Sequence, residues 1–342
     1  MKKILLMFAC MCAILLQGCS EENQNTVLKI HHFLPPKSNA HAKFIVPWCQ
    51  KIEETSSGEI TCEIYPAMQL GGTPPQLFDQ ARDGVVDIVW TIPGYSAGRF
   101  PGIEVFELPF MMKTAEATSQ AMWDYVAENG QEEFADIHLL ATHVHGPGVF
   151  HMTEKPIKTL SDLKGLKIRA PTRLTTKLIS ALGAIPVGMP IPSVPEALAK
   201  GVIDGTIVPY EVVPAIKANE LTKFHSDSDP VERAIYTTAF IYAMNKATYE
   251  KLPQKHREII DNNSGRELSR WIGRVFSEGD KTGKSTVSPE SINTISKTEL
   301  QHWKAAADSV RNDWIEEMNQ LGKNGALLFE RATELTEKYD NE

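Results

Sequence analysis

The sequence predicts an α/β protein of two lobes with a cleft between them and a helical C-terminal region. Three observations carry that prediction. Short apolar segments of strand length alternate with helical patterns through the first 245 residues, the order expected of strands covered by helices. From Lys246 onward the pattern is almost wholly helical and ends in "ALLFERATELTEKY". The third observation is an internal echo. "QLFDQARDGVVDIVW" and "PEALAKGVIDGTIV" share an amphipathic helix, a glycine (Gly84, Gly201) where a helix end wants a positive φ, and a Val-Val-Asp or Val-Ile-Asp entry into a strand. Two halves built alike predict a ligand cleft at their junction, beyond the carboxyl ends of the strands.

The first element is a targeting segment. Lys2 and Lys3 precede an apolar stretch, Ile4 to Leu16, that is short for a membrane span. Leu16-Gln17-Gly18-Cys19 resembles a lipobox. Residues 1–18 are therefore expected to be a lipoprotein signal peptide, with Cys19 lipidated, and residues 19–27 a tether. An ordinary secretory signal would reach the same compartment, so the expected location is the periplasm, with a lipid anchor to the membrane. No second apolar segment is long enough to span a bilayer.

Cys10 and Cys12 fall within the leader, which leaves Cys49 and Cys62 in the mature fold. Cys62 alternates with Ile60 and Ile64 on a strand, and Cys49 lies on the preceding helix. An oxidising compartment permits a bridge, but two small buried residues explain the pair equally well. Free thiols are the expectation.

"LKIHHF" (28–33) is the first strand, followed by a helix near residues 40–54 with Pro47 as an expected kink. Strands at 59–66 and 87–93 flank a helix through "PPQLFDQARDG". Further strands are expected at 137–144, 165–171, 186–190, 201–208 and 236–245. A 342-residue chain suits about two domains. The first lobe is expected to combine 28–146 with about 236–275, and the second 147–235 with about 276–342. A formal charge of −8 and a pI near 5.7, without a Lys/Arg-rich run, argue against nucleic acid as a partner.

The strand in "LKGLKIRAPTR" ends on Arg169, just before Ala-Pro and a new helix. Such an arginine is either a surface charge or a fixed cation aimed into the cleft. "LKGLKIRAPT", "ALGAIPVGMP" and "PEALAKGVIDGTIVP" together resemble the signature region of the solute-binding proteins of TRAP transporters, the DctP family. "YPAMQLGG", "FELPFM" and "YAMNKATYEKLPQKHREII" fit it too, so the similarity spans nearly the whole mature chain.

The resemblance implies a periplasmic binding protein fold that closes on a small organic acid and delivers it to a membrane permease. It also implies that Arg169, which matches the family's arginine, clamps the ligand carboxylate. The guanidinium fork suits that role because it engages a carboxylate bidentately and stays charged. Arg173, in the first turn of the next helix, is either near the ligand or on the surface.

His31-His32 and the alternating His143 and His145 invite a metal reading. Zinc would need a third ligand, and no H-E-x-x-H spacing is present. Neutral imidazoles from His32, His143 and His145 hydrogen-bonding a ligand fit better, with at least one of the four histidines purely structural. Phe33, Trp90, Tyr95, Phe150 and Tyr210 each follow or end a strand. Trp90, Phe150 and Tyr210 are the first candidates to face the cleft, since their strand ends should converge with that of Arg169. No G-x-S-x-G elbow, phosphate loop or nucleophile beside a base is found. No catalysis and no cofactor are expected, and the chain is expected to act as a monomer. The competing reading is a secreted hydrolase with a histidine-bound metal.

Two departures from the family bear on the ligand. Phe150 or His151 stands where many relatives that bind acidic sugars carry a second arginine. Val208 stands where they often carry an asparagine. Both changes remove polarity, so the expected ligand is a monocarboxylate with an apolar or aromatic body.

Overall fold

The computed structural model describes residues 25–342. The leader over 1–18, the lipidation candidate Cys19 and most of the tether lie outside the described residues. In chain order the first strands are β1 (Thr26–His32), β2 (Ile60–Tyr65), β3 (Ile88–Thr91), β4 (Ile137–Val144), β5 (Val149–Met152) and β6 (Lys167–Ala170). They are followed by β7 (Ile185–Gly188), β8 (Gly205–Val208), β9 (Phe224–Ser228), β10 (Ala239–Asn245) and β11 (Ile292–Ile295). They form two mixed sheets, one of five strands in the order β2-β1-β3-β10-β4 and one of six in the order β11-β9-β5-β8-β6-β7.

The chain passes from the first sheet to the second between β4 and β5, and returns between β9 and β10. The two crossings touch where the Gly148 amide donates to the Tyr236 carbonyl at 2.8 Å. β10 enters the first sheet antiparallel to both β3 and β4. All seven of its residues are buried, as a central strand covered on both faces requires.

The internal echo has one physical basis in both sheets. Gly84 and Gly201 take φ of +73° and +66°, ending each helix as a left-handed glycine does. The aspartate that follows then stitches the incoming strand to its neighbour. Asp87 Oδ2 accepts from the Lys29 amide at 2.8 Å, and Asp204 Oδ2 accepts from the Lys167 amide at 2.7 Å. These carboxylates are structural turn residues, as their place in the sequence suggests.

The first helix winds as a π-helix over Ala40–Ile45 and continues as α1 (Val46–Thr55), with Pro47 in its first turn. The wider winding accommodates the proline, which lacks an N–H, without ending the helix. α1 packs on β2, so Cys49 and Cys62 approach to 5.9 Å between Cα atoms and are joined by a disulfide. The expectation of free thiols is corrected.

Four longer helices complete the site's frame: α2 (Ala115–Asn129), α3 (Arg173–Ala181), α4 (Gly265–Lys284) and α5 (Lys297–Gln320). α4 lies along α2 and β4 and also reaches the turn Tyr210–Val212 beside the second sheet. The C-terminal helix α6 (Gly325–Asp340) packs on α2, where Arg331 Nε donates to Glu128 at 2.7 Å. That places it beside the first sheet, whereas the sequence reading counts residues 276–342 with the second lobe. Among the described residues no helix is long and apolar enough to cross a membrane.

Three strands are absent from the sequence reading: β5, β9 and β11. β9, "FHSDS", has no apolar alternation; its buried polar side chains are held by hydrogen bonds instead. His225 meets His151 at 2.7 Å, and Ser226 Oγ accepts from the Ile157 amide at 2.9 Å. β11 pairs in parallel with β9 at the sheet edge, interrupting a region that reads as wholly helical.

Candidate functional site

The carboxyl ends of strands from both sheets converge on one pocket. From the second sheet comes Arg169. β6 is short, "KIRA", and is paired in parallel with β7 and β8, so its last two residues deliver the arginine to the end of the sheet. The side chain is only 2 % exposed, and its Nε donates to the Met189 carbonyl at 3.0 Å. A buried guanidinium held by a neutral carbonyl keeps its charge for another partner.

From the first sheet comes an aromatic wall. Trp90, in β3, stacks between Phe33 (ring centroids 4.9 Å apart) and Phe240 of β10 (also 4.9 Å). The indole is fixed from behind, where Trp90 Nε1 donates to His143 Nε2 at 2.8 Å. Tyr95 meets Phe33 edge-on, and its hydroxyl accepts from the Ile191 amide at 3.2 Å. Tyr236, Thr238 and Val208 close the remaining sides.

The site's electrostatics follow from burial. His145 is pushed down to about 4, first by desolvation and further by the Arg169 charge, so it is neutral at physiological pH. His143 is held at about 3 by burial, which leaves its Nε2 free to accept from Trp90. Burial also raises Tyr95, against the pull of Arg169. The pocket therefore presents one cation, neutral rings, hydroxyls and the carboxyl of Glu211, whose ionisation burial opposes.

Five of the sequence candidates line this pocket: Phe33, Trp90, Tyr95, His145 and Arg169. Five do not. His32 bonds His41 at 2.9 Å behind the wall. His143 supports Trp90 without lining the space. Phe150 sits on the opposite face of its sheet, edge-on to Trp303 of α5. Strand alternation sends the next residue, His151, to the other face, where it meets His225 and Tyr210 rather than the pocket. Tyr210 has its ring beside Lys284, 5.4 Å away. Arg173 is neutralised by Glu104 and Glu317.

Phe240, Tyr236, Thr238 and Glu211 line the pocket and are missing from the sequence candidates. The signal for Tyr236, Thr238 and Phe240 was their alternation in "YTTAFIYAMN". Reading that segment as a crossing strand would have turned one face of it towards the cleft. Glu211 carries no comparable pattern.

The histidines are engaged as hydrogen-bonding groups. His145 Nδ1 is 2.6 Å from the Gly146 carbonyl, and His31 Nδ1 is 2.6 Å from Gln80 Oε1. Among the described residues no group of three or more His, Cys, Asp or Glu is placed to hold a metal ion.

Residues 30–317 match the family model DctP, bacterial extracellular solute-binding protein, family 7. A TRAP solute-binding protein from Rhodoferax ferrireducens T118, in complex with copurified benzoate, is 53% identical with a TM-score of 0.91, over 92% of this chain and 99% of that one. A marine metagenome TRAP solute-binding protein specific for aromatic acid ligands, in complex with 3-hydroxybenzoate, is 48% identical with a TM-score of 0.89, over 93% and 99%. The outer membrane transporter protein TsaT of Comamonas testosteroni is 23% identical over 319 residues, 92% of this chain and 93% of TsaT. With the match covering most of its length, the chain belongs to the DctP family of bacterial extracellular solute-binding proteins.

Proposed function

We propose that the protein is the solute receptor of a TRAP transporter, capturing an aromatic monocarboxylate of about benzoate size and passing it to a membrane permease. The observation that carries this reading is the pairing of one buried guanidinium, Arg169, with a stacked wall of Phe33, Trp90 and Phe240 in one pocket. Arg169 would take the carboxylate bidentately, and the rings would cover the aromatic body. The Rhodoferax and marine relatives, with benzoate and 3-hydroxybenzoate, support the same ligand class. A second carboxylate placed against that wall would lose hydration without gaining a partner, which disfavours dicarboxylates and sugar acids.

The proposed act is capture and release, with no bond made or broken in the ligand. Two lobes, one built on each sheet, would close on the acid, and helix α6 is counted with the first lobe on the strength of its packing. The lipobox-like Leu16-Gln17-Gly18-Cys19 supports a periplasmic, membrane-anchored lipoprotein, and the proposed acting unit is a monomer.

A thermal-shift comparison tests the ligand class, because a ligand that binds only the folded state raises its melting temperature. Benzoate should raise Tm by several degrees at millimolar concentration, whereas succinate and glucuronate should leave it unchanged. A larger shift with succinate or glucuronate would contradict the reading.

A further inference from the structure

Glu211 lies in the turn Tyr210–Val212 that follows β8, and it lines the same pocket as Arg169. It is 7 % exposed, and its Oε2 has no hydrogen-bond partner among the described residues. A buried polar atom left without a partner is costly, so its position beside a binding pocket calls for an explanation.

The turn is packed closely against α4. Asp280 of α4 accepts from the Glu211 amide at 2.8 Å. The helix is pressed against the turn through its glycines: a Cβ on Gly283 would come within 2.0 Å of the Tyr210 carbonyl oxygen, and one on Gly279 within 3.0 Å of Glu211 Cβ. Glu211 is thus fixed between helix and pocket.

Its charge state is decided by the same neighbours. Burial, and then the nearby Asp280, push Glu211 well above the usual carboxyl range, and burial pushes Asp280 up to about 7. A neutral Glu211 does not repel an anionic ligand, and it can both donate and accept a hydrogen bond.

We infer that Glu211 is a specificity residue that reads a hydroxyl on the ligand ring, so that the ligand class is a hydroxylated aromatic monocarboxylate. The inference rests on the aromatic-acid reading above and refines it. A phenolic hydroxyl matches a neutral carboxyl, since each group offers one donor and one acceptor. A pocket with a polar group committed in this way penalises a ligand lacking the matching hydroxyl.

Calorimetric titration of the full protein with benzoate and with 2-, 3- and 4-hydroxybenzoate tests this. At least one of the three hydroxybenzoates should bind roughly tenfold more tightly than benzoate, the scale of one buried hydrogen bond. In Glu211→Met the ratio should fall to about one, and in Glu211→Gln part of it should remain, because an amide also donates and accepts. Benzoate binding with no gain from any of the three hydroxyls, or a ratio unchanged in Glu211→Met, overturns the role of Glu211 and leaves the aromatic-acid reading standing. Failure of all four acids to bind removes that reading itself. Should Glu211→Met not fold, the wild-type ratio and Glu211→Gln decide the question.

Discussion

Thr172 Oγ1 donates a hydrogen bond to Glu107 Oε2 at 2.7 Å, tying the segment just after Arg169 to the short helix Ile103–Glu107 on the other side of the cleft. The other Glu107 oxygen accepts from the Ala239 amide of β10 at 3.1 Å. Next along the chain, Arg173 reaches Glu104 in the same short helix and Glu317 in α5. The residues that follow Arg169 are thus tied to both sides of the cleft.

Glu107 makes one consequence measurable. Burial raises its carboxyl from 4.5 to about 8. Below pH 4.5 the group is protonated in both folded and unfolded chains; between 4.5 and about 8 the folded chain holds a proton that the unfolded chain has released. Stability from this group therefore falls as pH rises through that window. Glu107→Gln removes the titration while keeping a hydrogen-bonding side chain. Melting curves from pH 5 to pH 8 should show the wild type losing several degrees relative to the variant as pH rises. Parallel curves would contradict the buried neutral carboxyl.

The Cys49–Cys62 bridge joins residues 13 apart in the sequence and ties α1 to edge strand β2. Closing a loop of that length should contribute ~3 kcal/mol through the unfolded state. The double variant Cys49→Ala/Cys62→Ala should accordingly melt well below the wild type. Benzoate affinity should stay within about threefold, as expected for sites without shared partners, because neither cysteine lines the pocket. A melting temperature equal to that of the wild type would show that the bridge contributes nothing.

Ligand should draw the two sheets together. The pocket takes Phe33, Trp90 and Phe240 from one side and Arg169 and Val208 from the other, and the chain crosses between the sheets three times, from β4 to β5, β9 to β10 and β10 to β11. A ligand contacting both sides favours the closed arrangement by its differential affinity. Small-angle scattering should record a smaller radius of gyration with saturating benzoate. An identical radius in both states would count against closure.

Much of the fold was legible because the strands and turns follow local rules. Asp87 and Asp204 announce themselves by the repeated Gly-Val-x-Asp entry, and both make the same bond to a neighbouring strand. Arg169 was legible through its motif. The aromatic neighbours were half legible: Phe33, Trp90 and Tyr95 line the pocket, while Phe150 and Tyr210 do not. A strand end is visible in sequence, but which face each side chain takes depends on register. In β5 the register sets Phe150 against Trp303 and leaves the apolar character of the pocket to Val208 and the first sheet. β9 escaped because its buried side chains, His225, Ser226 and Asp227, are held by hydrogen bonds to His151, Ile157 and Thr294 rather than by apolar alternation.

The central claim is that Arg169 supplies the charge that holds the ligand carboxylate. Removing one member of a desolvated charge pair costs ~2–5 kcal/mol, a loss of well over tenfold in affinity. Arg169→Lys should also bind more weakly, since an ammonium cannot reproduce the planar fork. The direct measurement is calorimetric titration of benzoate into wild type and Arg169→Ala, with melting curves to establish that both are folded. The account predicts binding by the wild type and a loss of well over tenfold in the folded variant; benzoate affinity unchanged in Arg169→Ala would contradict it.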